Sequence, residues 1–433
     1  MKTLRYFIVL SVIGFSTSVF ADDSIREKAE QVNRNIWGRF ISSDNTMFDY
    51  VGTNGEVSIP TAEECEKCMP NALGWWSPIE NGGYFGGIYL ISQCMRYENA
   101  KTPENKEKVK RLIQGLYKLQ DVGNTPGFIA RGVSADGKTT YPISSADQTM
   151  PFIIGLWRYL KTDIPNEKER AECQERLFRH VETIKKNDWI LYGTRKEYVN
   201  DSLSKPVYLS IAHILFVLWI MDDLTDDPSW RNLFVKLLDP NDPVGAVRRK
   251  NLVACNQVSP AGAAWIVSTC QYGLYVMYPN EPDPELKQIF KDSLENTARM
   301  AVKSIEGYKN YNPEISKNFT PDWRKMMPPH REQKTTDEAR QLAGEQVRIW
   351  NRICPAWGHE KNQIMQPICA AWIVALSHDK NLIDSALPEI KNAILKYDYD
   401  IVHYAAFFYV ENLIYTLNAV QENQKGVSAK AVE

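Results

Sequence analysis

The sequence predicts an all-α fold, a ring of six helical hairpins in one domain, from three observations. Six apolar, aromatic-rich stretches of helical length recur at 82–98, 148–162, 206–222, 260–278, 363–378 and 402–418. Each follows a polar or Gly/Pro-marked loop, and most are followed by a charged amphipathic stretch. A helix that is apolar all round is buried, whereas one with a single apolar stripe shows its other face to water. Stacked pairs of the two kinds bury a continuous core. Finally, no Ser/Gly-rich linker or composition shift divides the 433 residues, although a domain usually holds about 100–200. In such a ring the loops at one end of the inner helices meet in a central cleft, and here those loops hold Trp, Tyr, Asp, Glu, His and Arg.

The first 21 residues read as a signal peptide. Lys2 and Arg5 start it, Phe7 to Phe15 is a short apolar run, and Val19-Phe20-Ala21 is a small-residue cleavage pattern. The run falls short of the roughly 20 apolar residues that span a bilayer. The expected mature protein is exported, periplasmic or extracellular, without a membrane span. The ring is expected over 22–422, and the polar residues 423–433 form a tail expected to be disordered.

Within the ring, 24–42 has helical periodicity and is placed as an outer helix closing against the last inner one. Residues 43–81 are irregular. Asn81-Gly-Gly-Tyr-Phe-Gly-Gly opens the first inner helix. Its glycines cost about 1 kcal/mol each in a helix but allow helices to approach closely. The expected outer partners are 104–121, 165–186, 228–238, 283–307 and 381–397. The connection 122–147 carries Asp136-Gly137, a turn signal with flanks suited to a small hairpin. Polar loops are expected at 187–205 and 239–259, and the weakly periodic stretch 308–362 includes a charged helix near 335–352.

Composition narrows the function. The net charge of −2, with acids and bases interspersed, gives no nucleic-acid footprint. There is no Gly-rich phosphate loop, nucleophile elbow or HExxH. Of eight cysteines only Cys65 and Cys68 are close, without a second pair or histidines at zinc spacing. They read as a local disulfide or two free thiols. No metal or cofactor is expected.

The chemistry-bearing residues lie at the mouths of inner helices. Asp147, in Ser144-Ser145-Ala146-Asp147-Gln148, either caps the helix or points into the cleft as a general acid, its pKa raised by partial desolvation. Glu80, after Trp75 and Trp76, either complements a helix N-terminus or is the partner carboxylate, since paired carboxylates are the equipment of glycoside cleavage. Trp75, Trp76 and Trp357 offer faces for sugar stacking or serve as core. Arg131 can pair with a uronate carboxylate or form a surface ion pair. Tyr141 is a desolvating or substrate-contacting aromatic. His359 and Glu360, in Trp357-Gly-His359-Glu360-Lys-Asn-Gln363, are candidate substrate contacts or structural groups. His213 and His403 read as buried, hydrogen-bonded residues of inner helices, and Tyr272 and Tyr404 read as packing, with a place in the cleft as the alternative.

The hairpin count, with the strings ENGGYFGG and GFIARGVSADG followed by YPISSADQ, resembles the six-hairpin glycosidase superfamily of (α/α)6 toroids and its exported bacterial members of unassigned activity. The resemblance implies a toroid acting on oligosaccharides or polysaccharides. Hydrolases of that superfamily use aspartates at the mouths of inner helices, a placement similar to that of Asp147. The same fold hosts polysaccharide lyases, which would use Tyr141, His359 and Arg131. The expected function is thus a glycoside hydrolase, uronate-containing oligosaccharides being among its candidate substrates. A lyase and a non-catalytic glycan-binding toroid are the alternatives.

Overall fold

The computed structural model describes residues 22–255, 260–327 and 330–430. The expected signal peptide, 1–21, and the last three residues of the tail lie outside them. The described chain is mostly helical, in agreement with the all-α expectation.

Its first part holds α1 (Asp23–Asn35), α2 (Ala62–Glu66), α3 (Gly82–Asn99), α4 (Pro103–Asp121), α5 (Ala146–Leu160) and α6 (Glu167–Lys186). A short ribbon, β1 (Ile190–Tyr192) and β2 (Val199–Ser202), precedes α7 (Tyr208–Leu224), α8 (Ser229–Leu237) and α9 (Pro243–Ala254). Then come α10 (Pro260–Asn280), α11 (Pro284–Ile305), α12 (Pro313–Ser316), α13 (Thr336–Ile353) and α14 (Pro355–Glu360). A π-turn, Lys361–Met365, leads into α15 (Gln366–Ala375), followed by α16 (Lys380–Lys396) and α17 (Tyr409–Lys430).

The apolar helices are neighbours in a closed cycle: α3 packs on α5, α5 on α7, α7 on α10, α10 on α15, α15 on α17, and α17 returns to α3. Outside this cycle α4 lies against α3, α6 against α5, α8 and α9 against α7, α11 against α10 and α15, and α16 against α15. α1 contacts both α16 and α17. Two glycines let α3 and α5 approach: a Cβ on Gly155 would lie 3.2 Å from Gly87 Cα, and one on Gly87 only 2.2 Å from Pro151 O.

Helix starts differ between the two sets. Thr102, Asn166, Asp283 and Asp379 cap α4, α6, α11 and α16 with their side chains, which satisfies amide groups left over at each first turn. α3, α5 and α7 have no such side-chain cap. Neighbouring helices supply acceptors instead. Gln148 Oε1 accepts the Tyr84 N–H of α3 at 2.9 Å, and Gln366 Oε1 accepts the Ala264 N–H of α10 at 3.0 Å.

Several expectations are corrected. Asp136-Gly137 makes a turn without strands. Asp136 Oδ1 accepts the N–H groups of Lys138 and Thr139 at 2.8 and 2.9 Å, a side-chain closure that replaces a ladder. The antiparallel ribbon lies instead in the stretch expected as a polar loop, 187–205. The expected loop 239–259 contains α9, started by the Asp242 cap and Pro243. Residues 357–360, in the weakly periodic stretch 308–362, are helical in α14. The last inner helix starts at Tyr409, after a 3-10 turn over Ala405–Phe408, rather than at 402. The tail expected to be disordered remains helical to Lys430. Of the two alternatives left open for Cys65 and Cys68, the structure has the free thiols. Among the described residues no helix is long and apolar enough to cross a membrane.

Candidate functional site

N-terminal ends of the cycle's helices converge on a cavity of about 170 Å³. Glu80 and Asn81 enter it from just before α3, Asp147 from the first turn of α5, and Trp265 from α10. Lys361 and Met365 come from the π-turn before α15, and Tyr404 from the strand-like segment ahead of the last helix. Trp75, Trp76 and Trp357 complete the walls together with Tyr84 and Phe85.

The indole rings are interlocked. Trp76 meets Trp357 edge-on at 5.5 Å and 88°, Trp357 meets Tyr404 at 5.8 Å, and Trp265 meets Tyr84 at 5.4 Å. Trp76 adopts a positive φ of 74°, a costly conformation for a residue with a large side chain. Its indole Nε1 donates to Ala343 O at 3.2 Å and its backbone N–H to Glu80 Oε2 at 2.7 Å, which hold it there.

Glu80 is half-buried. Burial raises its pKa above the ordinary carboxylate value and Asp147 adds to the effect. The Trp76 N–H, Arg131 and Lys361 oppose it by favouring the ionised form. Behind it lies Asp49, 2% exposed. Its oxygens accept the Asn81 backbone N–H and the Asn81 amide, each at 2.6 Å. Burial, then the Glu80 carboxylate, push Asp49 well above the usual range. Asn81 Oδ1 in turn accepts from Gln148 Nε2 at 3.1 Å, so a polar chain Asp49–Asn81–Gln148 ties the mouth of α3 to that of α5. Asp147 does not cap α5, because Ser145 holds that position and Asp147 stands in the first turn.

The structure separates the remaining candidates. Arg131 is 1% exposed and is not a cleft wall. Its Nη1 donates to Glu80 O at 3.1 Å and its Nη2 to Ser145 Oγ at 2.8 Å, so it braces the two loops that carry the carboxylates. Tyr141 is fully buried with Phe48, Cys65 and Ile79, and its hydroxyl donates to Met69 O. His359 turns outward, stacking on Tyr311 at 5.4 Å and accepting the Asn312 N–H at 3.0 Å. Glu360 is buried and its Oε2 accepts the N–H groups of His403 and Tyr404, at 2.9 and 2.7 Å. None of these four lines the cavity, whereas Tyr404, read from sequence as packing, does.

Asp49, Asn81, Gln148 and Lys361 were missed. Three of the four stand in or beside the strings already singled out. Asp49 has no local signature. Among the described residues no group of three or more His, Cys, Asp or Glu is arranged to hold a metal ion. The arrangement offers two carboxylates and a cation in an aromatic-walled cleft, which suits proton transfer on a ring-shaped polar substrate. No family model matches the chain, and neither curated proteins nor solved structures include a significant match.

Proposed function

We propose that the helices form an (α/α)6 toroid and that its central cleft cleaves glycosidic bonds by hydrolysis. The observation that carries the reading is that Glu80 and Asp147 line one tryptophan-walled cavity. The closed cycle of apolar helices, flanked by amphipathic ones, supports the toroid. Indole faces suit the C–H face of a sugar ring, and a carboxylic acid beside a carboxylate is what protonation of a leaving oxygen and activation of water require.

The two roles are assigned by environment. Glu80, raised above its ordinary pKa by burial, is the proton donor to the leaving glycosidic oxygen. Asp147 is the carboxylate that assists water at the anomeric carbon. This reverses the order read from the sequence. The lyase reading loses support because Tyr141 and His359, its candidate bases, lie outside the cleft. Export by the segment 1–21 belongs to the same proposal.

Incubation of the protein with neutral and acidic oligosaccharides tests it, with products read by mass and ultraviolet absorbance. Water-added products that disappear in both Glu80→Gln and Asp147→Asn are expected. A new ultraviolet-absorbing double bond would move the assignment to a lyase, and glycan binding without products would leave a binding protein.

A further inference from the structure

Lys361 is a lysine of the cleft that has no ion-pair partner among the described residues. It lies one helical turn after Trp357, with Nζ 4.7 Å from the centre of that indole ring, and it lines the cleft beside Glu80 and Asp147. Among the described residues no carboxylate pairs with it and no hydrogen bond holds it. Glu80 and Asp49 act on it only at longer range, favouring its charged form against burial. Had Lys361 served to neutralise Glu80, the two would be paired. Glu80 Oε2 is instead occupied by the Trp76 N–H. The other cation near the cleft, Arg131, is engaged by Glu80 O and Ser145 Oγ.

An ammonium held partly out of water without an anion is costly, and an arriving anion removes that cost. A free anion would also meet the fields of Glu80 and Asp147. One attached to a ring seated on the indoles can be directed to the Lys361 side alone. We propose that Lys361 receives an acidic substituent of the substrate, so that the cleft prefers acidic sugar units to neutral ones. This rests on the reading of the cleft as a carbohydrate site. An ammonium is a point charge without the planar fork of a guanidinium, so a uronate carboxylate and a sulfate ester share the required chemistry.

Binding is measured by quenching of tryptophan fluorescence in Asp147→Asn protein, where turnover is arrested. The probes are a hexuronate trisaccharide, its carboxyl-reduced neutral counterpart and a sulfated neutral trisaccharide. One acidic probe, or both, is expected to bind at least about tenfold more tightly than the neutral one. Whichever binds more tightly identifies the substituent. The ratio of acidic to neutral affinity is expected to fall toward one in Lys361→Met. Lys361→Gln repeats the comparison with a polar neutral side chain, and thermal melts establish that both variants are folded. Equal affinity for all three probes, or a preference that survives both substitutions, overturns this inference and leaves the carbohydrate site standing. Failure of every probe to bind overturns the carbohydrate site and this inference with it.

Discussion

The Glu80 carboxylate accepts the backbone N–H of Trp76 at 2.7 Å, four residues upstream, so one hydrogen bond sets both a carboxylate and an indole wall of the cleft. The bond favours the ionised form while burial favours the protonated one, and burial prevails. Glu80→Gln keeps an oxygen for the Trp76 N–H but has no proton to give. Hydrolysis is expected to fall by about 100-fold or more, the usual worth of a general acid, with little change in melting temperature. Glu80→Ala also orphans the Trp76 N–H and is expected to cost a further 1–3 kcal/mol or so of stability. On the proposed role of Glu80 as the acid, kcat/KM of the unmodified protein is expected to decline as pH rises through the Glu80 pKa. That alkaline limb should be missing from the residual rate of Glu80→Gln. Full activity in Glu80→Gln would remove Glu80 from the chemistry.

Helix periodicity made the inner and outer elements legible, because burial on all sides and burial on one side leave different patterns along the chain. Position at a helix mouth was enough to bring Glu80, Asp147 and Trp357 to the cleft. Orientation was not legible. His359 and Lys361 are neighbours in one string, but α14 and the following π-turn put Lys361 beside Trp357 and turn His359 toward Tyr311. Arg131 looked available because its partners, Glu80 O and Ser145 Oγ, are 51 and 14 residues away in sequence. Tyr141 finds Met69 O across 72 residues. Asp49 acquires its role only when α3 begins beside it. Each of these depends on tertiary proximity, for which a single sequence carries no period or motif.

The contact between α3 and α5 rests on Gly87. A Cβ there would fall 2.2 Å from Pro151 O, which is backbone and cannot swing aside. Gly86, one residue earlier, has only the tip of Leu116 nearby, at 3.4 Å. Gly87→Ala is therefore expected to destabilise by about 1–3 kcal/mol through overpacking, despite the better helix propensity of alanine. Gly86→Ala is expected to be neutral or stabilising by up to about 1 kcal/mol. Denaturant titration of the two variants side by side checks the pair. Equal effects would mean that α3 and α5 can separate without loss.

His180 is 2% exposed, packs edge-on against Phe152 at 5.2 Å, and has no hydrogen-bond partner at either ring nitrogen among the described residues. Burial, with Arg179 adding to it, lowers its pKa from 6.5 to about 3. Between those values the unfolded chain binds a proton that the folded one excludes, so stability is lost as pH falls through that window. His180→Leu removes this term. The variant is expected to gain on the unmodified protein as pH drops from about 7 to about 4, by on the order of a few kcal/mol. Chemical denaturation at both pH values measures the gain, and an unchanged difference would show that His180 does not titrate during acid unfolding.

Glu360 has the opposite sign. It is fully buried, and burial pushes its pKa from 4.5 to about 8 against the opposing Ser316, Tyr404 and His403 hydrogen bonds and the Arg39 charge. The folded protein retains a proton that the unfolded chain releases, so stability is highest below 4.5 and declines as pH rises toward 8. Glu360→Gln still offers an oxygen to the N–H groups of His403 and Tyr404 but has no proton to lose. Relative to the variant, the unmodified protein is expected to weaken between about pH 5 and about pH 9, by on the order of a few kcal/mol. The loss should extend to the cleft, because Tyr404 is both a cleft wall and a residue whose backbone Glu360 holds. On the proposed reading of the cleft as a carbohydrate site, alkaline pH is expected to weaken glycan binding in the unmodified protein more than in Glu360→Gln. A stability difference that stays flat across the range would exclude Glu360 as the titrating group and leave the position of Tyr404 independent of pH.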